Sequence, residues 1–553
     1  MTEPAAPAPA TPSVRQPITE LSVGRASGIM ALGTIASRFT GFLRQAILAA
    51  AIGSALVGNA YAVANTLPNI VYELLLGGVL TSVVVPLLVK ARQEDPDGGR
   101  AYEQRLLTLA VLLLAAATAA AVVIAPLLTA AYSASDADEA TRDLTTVLAY
   151  LVLPEIFFYG VGALLGAVLN TRGHFAAPMW APVLNNVVVI ATAATFIALP
   201  GAAQLNPATI TRTQTLVLGV GTTLGIVAQS IALWPALRRV GFRWRFRFDF
   251  HHSRLGEARQ LAGWILCYVL VSQVGVWVIT RLASAAASND GPGNAIYTNA
   301  NLLFMLPHGI VAVSLITALL PRMSRAAVEG RFRAIGDDLA LGSRLSAAVL
   351  IPIAALLLFL GSQVAVVVYA HGETNLRQGQ EIGDALAFAA IGLFPYAVSQ
   401  IQIFVFYALR DARTPVLVNV VAVAVKVAVD VVSYELVSPE HVVEWLMIGN
   451  TVSYLLAAVI GYLLLQRRLA VIHVYELVRT IVRVVLASIP LSVAAVAVAF
   501  ALHRVLGAGL WSSLVQLIAA TALGGAVYLG FARLFRIREI NDVLDTVRAR
   551  LAR

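Results

Sequence analysis

The sequence predicts an all-α integral membrane protein with fourteen transmembrane helices. Hydrophobic residues make up 59% of the chain and charged residues only 12%, and the mean hydropathy is +0.80. Soluble domains contain about 25% charged residues, so a soluble fold is excluded. The apolar residues also form long unbroken runs, such as 106–131, as expected for helices that cross a bilayer. Transmembrane barrels have short segments of alternating polarity instead.

Each predicted span is an apolar stretch of about 20 residues between polar loops. The first six spans lie near residues 26–51, 58–88, 105–131, 144–170, 179–199 and 214–236. The next six lie near 258–284, 295–320, 340–362, 382–409, 414–434 and 442–466. The last two lie near 480–502 and 511–532.

The distribution of basic residues predicts the orientation. With a cytoplasmic N-terminus, 31 of the 39 Lys and Arg residues fall in predicted cytoplasmic segments and four fall inside spans. Cytoplasmic loops are enriched in Lys and Arg, so this alternation supports the number of spans and predicts a cytoplasmic C-terminus. The excess of basic residues in the cytoplasmic segments accounts for the net charge of +9. The charge is therefore no reason to expect a nucleic-acid partner. The predicted outer loops contain only Arg142, Arg212, Arg377 and Arg504.

The two halves of the chain resemble each other. Leu67-Pro68 in span 2 matches Leu306-Pro307 in span 8, and the run PVLNNVV at 182–188 matches PVLVNVV at 415–421. The offsets of 239 and 233 residues correspond to a shift of six spans. Because six is even, both halves cross the membrane in the same direction. Such parallel repeats are common in secondary transporters, which place the substrate site between the halves.

The repeat divides the chain into six segments. Two parallel six-helix lobes contain spans 1–6 and 7–12, and two extra helices follow. The C-terminal tail is predicted to be either a basic amphipathic helix or a solvated segment. The segments are a disordered cytoplasmic tail (1–25), the N-terminal lobe (26–236), a basic cytoplasmic linker (237–257), the C-terminal lobe (258–466), helices 13 and 14 (467–535) and a basic cytoplasmic tail (536–553).

Three arginines inside spans are candidate ligands for an anion. Arg38 and Arg44 lie in span 1, and Arg281 lies near the outer end of span 7. Charged side chains in a span normally face a partner or a wet cavity, and guanidinium groups bind phosphates through paired hydrogen bonds. Arg38 and Arg44 point about 120° apart unless Gly41 allows a bend. Alternatively, Arg44 pairs with Glu73, and Arg281 anchors the outer interface.

Other polar residues in the spans suggest further contacts. Lys426 and Asp430 are four residues apart on one face of span 11 and form a candidate ion-coupling pair. Alternatively they neutralise each other without a transport role. The single Cys267 excludes a disulfide framework, and no spacing typical of a catalytic, metal or cofactor site is found. Four asparagines are candidates for binding hydroxyl and amide groups, or alternatively for satisfying helix kinks beside Pro68 and Pro307: Asn65, Asn69, Asn299 and Asn301.

Several motifs resemble one family of membrane proteins. Residues 37–44, SRFTGFLR, resemble the SRxxGFxR signature of the MurJ/MviN lipid II flippases, and residues 59–69 resemble the family's next motif. The likeness extends from about residue 25 to the end, and residues 38–100 look most like actinobacterial members. Shorter matches are 84–86, 306–309, 320–321 and 413–415.

The resemblance implies a function. The protein would move lipid II, an undecaprenyl-pyrophosphate-linked disaccharide peptide, from the cytoplasmic to the outer leaflet of the cell membrane for wall synthesis. It implies two lobes around a cationic cavity, a groove for the lipid tail at helices 13 and 14, and contact with membrane lipids and cell-wall synthesis proteins. In sodium-binding members an amide and a carboxylate occupy the positions of Lys426 and Asp430, so Lys426 would replace the ion and leave the proton or the membrane potential as the driving force. Gln45, Asn59, Tyr72, Leu302 and Met305 depart from charged family positions.

Other functions remain as alternatives. A flippase for another polyprenyl-linked glycan is the nearest one, and a multidrug antiporter is more distant. A scaffold that recruits cell-wall proteins would not need arginines inside the membrane. An enzyme is not expected, because lipid-sugar transferases present acidic or histidine clusters in sizeable loops, and the outer loops here are short.

Overall fold

The computed structural model describes residues 20–74, 94–134, 137–201, 205–249, 259–469 and 474–541, together with residues 88, 91 and 92. Helices are the regular secondary structure of these residues, as the sequence predicts. The helices of the first half are α1 (Glu20–Ile52), α2 (Leu56–Leu74), α3 (Arg100–Val123), α4 (Ala125–Tyr132), α5 (Glu139–Val152), α6 (Glu155–Thr171), α7 (Ala176–Ala198), α8 (Arg212–Ile231) and α9 (Trp234–Arg239).

The second half and the C-terminal region contain nine helices among the described residues. A short 3-10 turn, Pro439–His441, precedes the seventh of them. They are α10 (Arg259–Ser288), α11 (Asn294–Val328), α12 (Phe332–Tyr369), α13 (Leu376–Ala390), α14 (Leu393–Ala408), α15 (Arg413–Leu436), α16 (Val442–Leu469), α17 (Val474–Leu506) and α18 (Leu510–Leu534).

In the described part of the chain, 11 helices are long and apolar enough to cross a membrane, or up to 12 if the bent pair α13–α14 is one span. The exact number of fourteen stays a prediction. The helix α1 occupies the position of span 1, but Arg38 and Arg44 lower its hydropathy. The residues of span 2 after Leu74 lie largely outside the described residues.

The helix α1 begins at Glu20, so the last residues of the predicted 1–25 tail are helical. Helix formation is possible there because no proline follows Pro17 before the first span. Residues 1–19, and the predicted C-terminal tail beyond residue 541, lie outside the described residues.

Four predicted spans are divided into two helices: span 3 at residue 124, span 6 at residues 232–233, and spans 4 and 10 at matching places. Span 4 consists of α5 and α6, which are separated at residues 153–154. Span 10 consists of α13 and α14, which are separated at residues 391–392 and bent by 54°. Proline lacks the N–H of a continuous helix and glycine weakens a helix interior, so Pro154 and Gly392 suit these breaks.

Corresponding asparagines hold corresponding helices together in the two halves. Asn186 on α7 donates hydrogen bonds to the Ser37 carbonyl (3.1 Å) and the Thr40 hydroxyl (2.9 Å) on α1. Asn419 on α15 donates to the Tyr268 carbonyl (3.1 Å) and the Ser272 hydroxyl (3.0 Å) on α10. The first and fifth spans of each half are therefore joined in the same way.

The two C-terminal helices pack against each other and against α12. The Tyr528 hydroxyl of α18 donates to the Ala348 carbonyl of α12 at 2.7 Å. In the same interface Gln363 donates to Gln516, which donates in turn to the Ser512 hydroxyl. These contacts attach α17 and α18 to one helix of the second half.

Asp411 stabilises the start of α15 from the loop that precedes it. Its carboxylate accepts hydrogen bonds from the Thr414 amide (3.0 Å) and hydroxyl (2.6 Å) and pairs with Arg468 at 2.5 Å. Burial raises the pKa of Asp411, but these bonds outweigh it and the net pKa is lowered.

The variant D411N should therefore be less stable than the parent at pH 7, by about 1 kcal/mol. Since the folded pKa lies below the unfolded value, this contribution is present above about pH 4 and is lost as the pH falls through the folded pKa. Thermal unfolding of both proteins in detergent between pH 7 and pH 3 measures it. An equal difference at every pH would contradict this role of the Asp411 charge.

Candidate functional site

A cavity of about 480 Å³ lies among the helices of the second half. Helices α10, α11, α14, α15 and α16 form its walls, and Thr66 and Glu73 of α2 complete it from the first half. The only charged groups among the lining residues are Glu73 and Lys426. The rest of the polar lining is neutral and includes Asn301, Asn419, Asn450, Tyr268, Tyr297, Tyr396 and Tyr454.

A smaller cavity of about 80 Å³ lies between α1, α2 and the start of α11. Three of the four predicted asparagines, Asn65, Asn69 and Asn299, line it. Gln45 donates to the Asn299 side-chain oxygen at 2.8 Å, and Asn299 donates to the Ser54 hydroxyl at 3.3 Å. The structure thus places Asn301 in the larger cavity and the other three asparagines in the smaller one.

The two arginines of α1 point toward different parts of the molecule. Arg38 is exposed, and its guanidinium lies so close to Gly309 of α11 that a Cβ there would overlap it. Arg38 therefore reaches from the first half to the second. Arg44 is half-buried and interacts electrostatically with the Glu155 carboxylate at the start of α6. This divergence agrees with the angle expected for two residues six positions apart on a helix.

Arg44 and Glu155 interact electrostatically inside the first half. Glu155 is fully buried, and among the described residues one of its oxygens accepts a long hydrogen bond of 3.4 Å from the Thr223 hydroxyl while the other has no partner. The Arg44 Nε atom is also buried without a partner among the described residues. From the sequence, Glu155 is a weaker ion-coupling candidate than Lys426 and Asp430, because it follows Pro154 inside span 4. The structure adds that this position is a break between two helices.

Arg281 binds backbone carbonyls of the opposite half. Its Nη1 atom lies 3.2 Å from the Ala131 carbonyl and 3.4 Å from that of Ser133, at the C-terminal end of α4. One turn earlier, the Trp277 indole also donates to the Ala131 carbonyl, at 2.9 Å. A cation is favoured at this end of a helix, where carbonyl groups lack intrahelical partners. In this state Arg281 holds α10 against α4.

Further hydrogen bonds join the halves at the same, predicted outer end. The Asn59 side-chain oxygen accepts from the Asn294 amide at 2.7 Å. The Thr374 hydroxyl donates to the Ala49 carbonyl at 2.7 Å, and the Glu373 amide donates to the Ala50 carbonyl at 2.9 Å. These hydrogen bonds fasten the two halves to each other at the predicted outer end.

Lys426 and Asp430 lie about one helical turn apart on α15 but have different surroundings. Lys426 lines the larger cavity, near Gly275 of α10. Asp430 is fully buried, and neither of its carboxylate oxygens has a hydrogen-bond partner among the described residues. The carboxylate packs directly on Gly449 of α16, where a Cβ would overlap it. Lys426 interacts electrostatically with Asp430 and supplies its neighbouring positive charge.

His308 is a further polar residue at the boundary between the halves. It is 7% exposed, and its Nδ1 atom has no partner among the described residues. Its ring lies 4.4 Å from that of Tyr396, and Arg38 acts on it electrostatically. Sequence analysis included it only within the Leu-Pro motif of span 8, because a lone histidine in an apolar helix gives no functional signal.

Comparisons with known proteins identify relatives over most of the chain. The family profile described as "Lipid II flippase MurJ" matches residues 48–520. A "Probable lipid II flippase MurJ" of Rhizobium tropici is 25% identical over 450 residues, which cover 81% of each chain. The "Lipid II flippase MurJ" of Burkholderia cenocepacia is 26% identical over 392 residues, which cover 69% of this chain and 73% of that protein.

Solved structures show the same fold. A structure described as "Lipid II flippase MurJ, inward closed conformation" has a TM-score of 0.71 at 19% identity and covers 92% of this chain and 98% of that one. An inward-facing transporter of the multidrug resistance MATE family has a TM-score of 0.63 at 16% identity and covers 78% and 94% of the two chains. Because the profile matches far more than half of the sequence, the chain belongs to the lipid II flippase MurJ family.

Proposed function

We propose that this protein moves lipid II across the cell membrane, from the cytoplasmic to the outer leaflet, by alternating access. The observation that carries the proposal is the family match over residues 48–520. The two halves, fastened to each other at one end, suit the rocking of repeat-built carriers. A scaffold without transport would not need Arg38 in an exposed position between the halves.

The orientation proposed is one with both termini in the cytoplasm. The basic loops then face the cytoplasm, and the hydrogen bonds of Arg281, Asn59 and Thr374 lie on the outer side. The conformation described would accept substrate from the cytoplasmic leaflet.

The proposed headgroup site has an anionic part and a neutral part. Arg38 binds the diphosphate, since a guanidinium forms two parallel hydrogen bonds with phosphate oxygens. Asn301 and the tyrosines of the larger cavity bind sugar and peptide groups through neutral hydrogen bonds and ring contacts. Asn65, Asn69 and Asn299 contact the headgroup as it passes the smaller cavity. Arg281 is bound to backbone carbonyls here and Arg44 is oriented toward Glu155, and both reach the substrate only in other states.

Loss of the Arg281 contacts should favour the outward-open state. In R281Q the carbonyls at the end of α4 lose a charge-assisted donor, typically about 1.5–3 kcal/mol. A cysteine at Asn65, introduced into a C267S background, should react roughly tenfold faster with a membrane-impermeant thiol reagent added outside. The exposed arginine change R377Q, at the same end, serves as the control. An unchanged rate in R281Q would show that Arg281 does not hold the outer end closed.

Lys426 and Asp430 are proposed as the pair that couples transport to the membrane potential. A tethered ammonium beside a buried carboxylate takes the place of a bound metal cation, so no sodium is needed. One charge moved across 100 mV gains about 2.3 kcal/mol. In proteoliposomes, transport by the parent should respond to an imposed potential and not to sodium, and K426A should lose the response. If K426A keeps the parent's dependence on both, the pair has no coupling role.

Transport itself is tested by depletion in the native bacterium and by reconstitution. After depletion, lipid II should accumulate where reagents added outside the cell cannot reach it. Continued access from outside would contradict the assignment. Transport rates in proteoliposomes that contain either lipid II or another undecaprenyl-pyrophosphate glycan decide between a lipid II flippase and a flippase for another polyprenyl-linked glycan.

A further inference from the structure

The segment that leaves the first half has an unusual alternating sequence. Residues 242–249, Phe-Arg-Trp-Arg-Phe-Arg-Phe-Asp, follow α9 as a stretch without regular secondary structure. We call this stretch the strap. Its aromatic and basic side chains alternate along the sequence. The rings of Trp244 and Phe246, two positions apart, lie 5.6 Å from each other, so these aromatic side chains share one side of the strap.

The first part of the strap is packed into the first half. Phe242 is buried and Trp244 is half-buried against the cluster that contains Leu169 and Leu237. The Arg172 guanidinium lies 5.5 Å from the centre of the Phe242 ring. These contacts fix where the strap begins.

The strap is also tied to the first turns of α3. Gln104 donates to the Arg243 carbonyl at 2.8 Å, and the Arg247 amide donates to the Thr108 hydroxyl at 3.0 Å. At its end Arg105 pairs with Asp249 at 2.5 Å, and this hydrogen bond lowers the pKa of the Asp249 carboxyl. The strap thus lies beside the end of a transmembrane helix, and its only acidic side chain is already paired.

The second part of the strap contains two largely exposed aromatic side chains. Phe246 is 62% exposed and Phe248 is 66% exposed. The side chains of Arg243 and Arg245 are exposed and have no hydrogen-bond or ion-pair partner among the described residues. One to two turns further along α3, Leu112 and Leu113 are exposed as well, as expected of a surface that faces lipid.

We propose that the strap binds acidic phospholipid headgroups at the membrane surface. Phe246 and Phe248 insert at the level where aromatic side chains prefer to lie, between headgroups and acyl chains. Arg243 and Arg245 bind the phosphates of acidic lipids, whose surface potential attracts basic residues near a membrane. Since the strap is fixed to α3, this binding attaches the linker between the halves to the surface on the side of the first half. The inference does not depend on the transported substrate.

Tryptophan quenching measures which lipid lies beside the strap. The protein is placed in phosphatidylcholine nanodiscs that contain a small fraction of either brominated phosphatidylglycerol or brominated phosphatidylcholine. The W244F variant is measured in parallel, and the quenching that it removes belongs to Trp244, whose ring lies 5.6 Å from that of Phe246. In the parent, the acidic lipid should quench Trp244 more strongly, with an enrichment of roughly fivefold for each arginine at low salt.

Two double variants compare the loss of the strap arginines with an equal loss of charge elsewhere, and a third tests the phenylalanines. R243Q/R245Q should reduce the ratio of acidic to neutral quenching to about one. R333Q/R410Q removes two exposed arginines from the same end of the other half and should leave the ratio unchanged. F246S/F248S should weaken quenching by both lipids.

Three results would overturn the proposal. The first is equal quenching by the two lipids in the parent. The second is a preference that R243Q/R245Q keeps. The third is a preference that R333Q/R410Q also abolishes, because acidic lipid would then respond to the net charge of that end and not to the strap.

Discussion

Replacing Arg38 with alanine is expected to reduce the rate of lipid II transport by roughly 10- to 100-fold. The variant loses charge-assisted hydrogen bonds to the diphosphate, typically about 1.5–3 kcal/mol. Because Arg38 is exposed and no carboxylate is paired with it among the described residues, the fold should remain stable. Rates in proteoliposomes and unfolding temperatures in detergent measure the two properties separately.

The variant R38K distinguishes charge from geometry. Lysine keeps the positive charge but cannot form the paired hydrogen bonds of a guanidinium, so an intermediate rate is expected. R333A removes an exposed arginine in the first turn of α12, outside the proposed headgroup site, and should transport at the parental rate. A parental rate in R38A would remove Arg38 from the proposed headgroup site.

The largest effect on stability is expected for K426A. The change leaves the fully buried Asp430 carboxylate without its neighbouring positive charge, and its oxygens have no hydrogen-bond partner among the described residues. The two side chains form no direct ion pair among the described contacts, so we expect the cost of a buried, unsatisfied carboxyl group, about 1–3 kcal/mol. Denaturant unfolding of the purified protein in detergent measures the loss.

A double variant separates the charge from the side chain. In K426A/D430N the unpaired charge is gone, so most of the lost stability should return. The change G449A places a methyl group where the Asp430 carboxylate lies and should also destabilise the parent. Losses in K426A and D430N that simply add in the double variant would show that the two charges do not interact.

The transmembrane helices are the part of the fold that the sequence predicts best, because the bilayer restricts which residues can span it. Apolar runs and alternating basic loops predicted the helices, because a bilayer requires both. The breaks at 153–154 and 391–392 were missed, since the apolar content of a span does not report a bend in it. Pro154 and Gly392 are visible in the sequence, but such residues also occur in unbroken spans, as Pro307 does in α11.

The candidate site could be predicted only in part. The charged residues were found because a charge inside a span is costly and therefore conspicuous. The partners of Arg281 could not be predicted. They are backbone carbonyls at the end of α4, and any residue type can supply a backbone carbonyl. The four tyrosines of the larger cavity come from four different helices. Their spacing along the sequence therefore shows no helical periodicity that would predict a shared cavity.

The matching roles of Asn186 and Asn419 bear on the evolutionary origin of the two halves. If each half descends from one ancestral six-helix unit, two copies inserted in the same direction would have formed a twofold homodimer with all termini on one face. Fusion of the two genes then needed only a short connection on that face, and no additional membrane crossing. The present chain joins its halves through such a connection, between α9 and α10.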